Sequence, residues 1–140
     1  MARAFAFVVC ALMLLGTACS DAEIERNLDE IAASAQRAYD DLATAVDEAV
    51  GGLDDDAAQA VEHALATAED ARAALADFAE NPGDESRRAL REAESRVEDA
   101  RRGLEDIGDS VPEGVRGAFD RVVSSFAALA EEIRRALDRG

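Results

Sequence analysis

Four times along this chain, apolar side chains recur at steps of three and four residues, and clusters of glycine, proline and aspartate separate the runs. That spacing lines up one face of an α-helix. The first run is Ile24, Leu28, Ile31, Ala35, Tyr39, Leu42, Val46 and Ala49; Ser20 with Glu23 precedes it as an S-x-x-E capping signature, and Gly51-Gly52 ends it. Asp54-Asp55-Asp56 then supplies a cap and negative charge for a second helix, with Ala57, Val61, Ala64, Ala68, Ala71, Leu75 and Ala79 on its stripe. Asn81-Pro82-Gly83 breaks that helix and Asp84 is the expected cap of a third, carrying Leu90, Ala93, Val97, Ala100, Leu104 and Ile107. After Gly108, a second S-x-x-E (Ser110 to Glu113) opens the strongest stripe of all: Val115, Phe119, Val122, Phe126, Leu129, Ile133 and Leu137. Helices are expected at about 21–50, 55–80, 84–107 and 112–138.

Connections this short force successive helices to run antiparallel, so the fold class expected is all-α, an up-down-up-down four-helix bundle over residues 19–140. The structural alternative is three long helices with one dissociable partner. A hydrophobic period near 3.5 implies a left-handed bundle with helices about 20° from antiparallel. Helices 2 and 3 are expected to present mainly alanine to the core, so its bulk is expected from helices 1 and 4, with helix 4 as its centre. Arg87, Arg88, Arg91 and Arg96 of helix 3 are expected to pair with acids on neighbouring helices, at about 0.2–1 kcal/mol for each exposed pair.

The segment ahead of the bundle has a different character. Arg3 is followed by the uncharged apolar run Ala4 to Leu15, then by the small residues Gly16-Thr17-Ala18, and then by Cys19-Ser20-Asp21. Twelve apolar residues are too few for a membrane-spanning helix, which needs about 20, and suit the core of an export signal helix. A signal peptidase draws extended backbone into a narrow site, which explains small side chains before the cut. With Cys19 directly after them, L-L-G-T-A-C (Leu14 to Cys19) resembles the lipobox of bacterial membrane lipoproteins. Of the box residues Leu15, Gly16, Thr17 and Ala18, Thr17 and Ala18 fit the family well, while Gly16 stands where it usually carries leucine or another aliphatic residue.

That resemblance covers the N-terminal segment alone. It implies cleavage after residue 18, a diacylglyceryl thioether on Cys19, and attachment to the cell membrane or outer membrane on its extracytoplasmic side. Two acyl chains give stable anchoring where one does not. Gly16 and Ala18 also satisfy the small-x-small rule of ordinary secretion, so release of a soluble chain remains the alternative. Cys10 lies inside the apolar run and is lost with the signal, leaving a single cysteine and no internal disulfide.

Without residues 1–18 the chain has 14 arginines, no lysine and 31 acids, a net charge of −17. Such a balance points away from nucleic acid as a partner, because phosphates need neutralising by Lys and Arg. It points equally away from a helix lying flat on anionic lipid. The charge is uneven: residues 19–83 carry −14 and residues 84–140 only −3. Most of it is solvated helix surface, yet an acidic front half also attracts a basic partner.

Residues for chemistry are missing. His63 is the only histidine, about 140° around the helix from Ala68, and E-x-x-H di-iron motifs need more than one. Asp54-Asp55-Asp56 lacks the spacing and terminal glutamate of an EF-hand loop, and helix capping accounts for it. There is no G-x-S-x-G, no phosphate-binding glycine loop and no nucleophile paired with a base. No catalytic residue, cofactor or metal is expected. The reading is a lipid-anchored, non-catalytic envelope lipoprotein, held on the membrane by its N-terminal lipid and serving as a structural or protein-interaction module. The alternatives are a carrier of lipid or another apolar ligand, and a secreted acidic inhibitor or adaptor of a basic envelope protein. The murein lipoproteins are similarly small and helical, but their wall attachment uses a lysine that this sequence lacks.

Overall fold

A computed structural model describes residues 27–139. They form helix α1 (27–50), α2 (Asp55–Glu80), α3 (Asp84–Ile107), a 3-10 turn at Gly108–Ser110, and α4 (Glu113–Arg139). The architecture is an all-α antiparallel four-helix bundle, with no strand among the described residues. The expected spans 55–80 and 84–107 coincide with α2 and α3, and α4 starts and ends one residue later than its expected 112–138. Residues 21–26 of the expected first helix, with the Ser20/Glu23 cap and Ile24, lie outside the described residues.

Each boundary has a local cause. Asp54 is the cap of α2: its Oδ1 accepts the Ala57 N–H at 2.8 Å, an interaction that stabilises a helix by about 1 kcal/mol. α3 is capped differently from the expectation. Asp84 is already helical, and extended Gly83 (φ −169°, ψ 176°) holds the cap position without a side chain to offer. The hydroxyl of buried Ser86 takes over, accepting the Gly83 N–H at 3.1 Å and donating to the Asn81 carbonyl at 2.7 Å. Asp84 and Glu85 remain in the first turn, where negative charge favours the helix dipole.

The second S-x-x-E does not form a capping box. Ser110 is taken up in the 3-10 turn, and α4 begins only at Glu113. The turn is instead secured by Arg116, whose Nη2 donates to the carbonyls of Val111 (3.2 Å) and Gly108 (3.4 Å). At the same end of the bundle, the Gly51-Gly52 turn packs onto the start of α4. A Cβ on Gly52 would collide with Cγ1 of Val115, and Val115 Cβ would stand only 3.3 Å from it. Glycine is needed there for closeness, since no described glycine has a positive φ.

α2 packs along α3, α3 packs along α4, and α2 and α4 meet across the core. α1 closes the ring: Arg72 of α2 reaches Gln36 at 2.7 Å, and Arg121 of α4 reaches Glu48 at 2.6 Å. The core stripes largely follow the sequence pattern, with Leu28, Leu42, Val61, Leu75, Leu90, Val97, Leu104, Val122, Phe126, Leu129 and Ile133 all fully buried. Two expectations are corrected. Tyr39, Ala79, Ile107, Val115 and Leu137 are only partly buried, flanking the core, while Ala38, Ala45, Phe78 and Ala136 lie within it. Alanine is concentrated in α1 and α2, with four buried alanines each, and α3 contributes two leucines and a valine with only two alanines. The first hairpin is therefore the thin-walled one, where small side chains let axes approach closely.

Candidate interaction surface

The residues expected to carry the membrane attachment, Cys19 with Leu15, Gly16, Thr17 and Ala18, lie outside the described residues, as does Cys10. What the fold does determine is the end of the bundle at which the described residues of α1 begin. α1 enters at residue 27, beside the end of α4: Asn27, Ile31, Arg135 and Arg139 line one surface depression. The Gly51-Gly52 turn and the 3-10 turn lie at the opposite end.

Because α1 and α2 are neighbours, the uneven charge of the sequence becomes an uneven charge in space. Residues 27–83 carry fourteen acids and two arginines, a net charge of −12, and all fourteen acids are exposed. Residues 84–139 carry fourteen acids and eleven arginines, a net charge of −3. Ion pairing deepens the contrast. Arg101 bridges Glu98 and Glu105 at 3.1 and 3.2 Å, Arg135 reaches Glu132 at 3.3 Å, and Arg134 lies 3.8 Å from both Glu98 and Glu131. On the α1–α2 side, Glu48 is the one acid in an ion pair among the described residues.

Neither arginine of that side compensates its acids. Arg72 is turned into the α1–α2 seam, with its guanidinium 4.9 Å above the Tyr39 ring and Nη1 donating to Gln36 Oε1 at 2.7 Å. Its Nε is buried without a hydrogen-bond partner. Gln36 in turn donates to Asp40 at 3.0 Å. The exposed side chain of Arg37 points Nε at its own helix, 3.4 Å from the Ala33 carbonyl. An aromatic face and a side-chain amide thus hold the α2 cation where a carboxylate is the usual partner. Glu62, Glu69, Asp70, Asp77 and Glu80 along the outer face of α2 are left to solvent.

The arginines expected to pair from helix 3 form no ion pair among the described residues. Arg88, Arg91 and Arg96 are exposed. Arg87 donates to the Leu137 carbonyl at 3.0 Å and stacks over Phe78 at 5.5 Å. That carbonyl belongs to the last turn of α4, whose acceptors have no helical partner, so the cation completes the helix end and complements its dipole. The sequence hinted at this only by placing an arginine in the first turn of an antiparallel neighbour.

His63 is exposed on α2, beside exposed Glu62. Along the α1–α4 seam runs a shallow groove whose central part, about 330 Å³, is lined by Ser34, Arg37, Ala38, Asp41, Ser125 and Ala128. Its small side chains and opposite charges give it no single chemical character. Comparison with protein-family models, with characterised proteins and with solved structures finds no match. No helix among the described residues is long and apolar enough to cross a membrane.

Proposed function

We propose that the chain is a lipid-anchored, non-catalytic bacterial envelope lipoprotein that acts as a structural or protein-interaction module, with the acidic α1–α2 side as its contact surface. The observation that carries the interaction half is the charge division of the bundle, −12 on one hairpin against −3 on the other. A surface potential of one sign steers partners of the other sign and suppresses wrong ones, and its effect on association falls steeply with ionic strength. The partner this fits is a protein with a basic face; nucleic acid, itself anionic, is repelled. The anchoring half rests on L-L-G-T-A-C at residues 14–19. Lipid on Cys19 would tether the bundle by the end that carries residue 27 and leave the Gly51-Gly52 and 3-10 turns distal.

Two measurements test the two halves separately. Intact mass of the protein extracted from membranes should exceed that of polypeptide 19–140 by a diacylglyceryl group, and Cys19→Ala should move the chain to the soluble fraction while Cys10→Ala leaves it in place. Unmodified Cys19 in an exported soluble chain would replace the lipoprotein reading with the secreted one. For the contact surface, affinity capture of the tagged protein should retain a basic envelope protein at low salt and lose it at high salt. The triple variant Glu62→Gln, Glu69→Gln, Asp70→Asn should lose most of that capture, and Glu92→Gln, Glu105→Gln, Asp106→Asn on α3 should keep it. Equal capture by both variants would refute the assignment to α1–α2. Recovery of lipid that raises the unfolding temperature, in place of a protein, would favour a carrier.

A further inference from the structure

We draw no further inference here: the strongest candidate, the shallow groove along the α1–α4 seam around Ser34, Asp41 and Ser125, is lined by small side chains and charges of both signs, and nothing in the structure shows what covers it.

Discussion

Replacing Phe78 with alanine tests the point at which the third dimension departs most from the periodic pattern. Phe78 is 1 % exposed in the last turn of α2, although the stripe read from the sequence runs from Leu75 to Ala79. A buried aromatic hides roughly 150–250 Å², and losing roughly 100–150 Å² of it at about 25 cal/mol per Å² costs about 2.5–4 kcal/mol. The void left behind brings the expected loss to about 3–5 kcal/mol, the range for truncating a core phenylalanine. Arg87 also loses the ring beneath its guanidinium, 5.5 Å away, worth about 0.5–1 kcal/mol at a partly exposed site. Urea denaturation followed by circular dichroism measures the total, and a double-mutant cycle with Arg87→Ala isolates the ring contact. Domains of this size are typically stable by about 5–15 kcal/mol, so Phe78→Ala should sit near the edge of folding. A loss below about 1 kcal/mol would mean that the last turn of α2 is not docked, and the argument from burial would fail.

Phe126→Ala, at a fully buried site in the middle of α4, should also cost about 3–5 kcal/mol, whereas exposed His63→Ala should stay within about 0.5 kcal/mol in the same denaturation experiment. Gly52→Ala should destabilise by about 1–3 kcal/mol because its methyl group overlaps Val115, while Gly117→Ala, with nothing within 4 Å, should stabilise by about 0.5–1 kcal/mol; equal signs for the two would overturn the packing described at the Gly51-Gly52 turn. Added sodium chloride at neutral pH should raise the melting temperature, because repulsion among the largely unpaired acids of α1 and α2 outweighs the exposed ion pairs of α3 and α4. A clear fall on adding salt would show that the pairs dominate.

Helix number, direction and breaks were legible in the sequence because each depends on neighbours a few residues away. Glycine pairs, prolines and capping aspartates act on their own turn of backbone, and the three-and-four spacing of apolar residues identifies a face without reference to what it meets. Local signals failed where two residues could do the same job. Both Asp84 and Ser86 can cap, and the hydroxyl of Ser86 won because the helix starts directly after a glycine. Ser110, read as the start of the fourth helix, is instead taken up in the 3-10 turn, and α4 begins only at Glu113.

The proposed attachment at Cys19 rests on the sequence alone, since a lipobox is a linear address for processing enzymes and needs no fold. Acidity of the front half was likewise countable along the chain. That the acids form one side of the molecule follows from the antiparallel topology, which sets α1 beside α2. Tertiary structure alone decided the rest. From Leu75, a step of three reaches Phe78 and a step of four reaches Ala79; helical periodicity allows both, and only the direction in which the last turn of α2 meets its neighbours puts the ring inside. In the same way Arg72 found an aromatic ring across a seam and Arg87 the open carbonyls of another helix, while Arg88, Arg91 and Arg96 found no carboxylate among the described residues. Charge and spacing say which residues are able to interact, but the partner of a long, flexible side chain is set by which helix ends and seams the packed core brings within its reach.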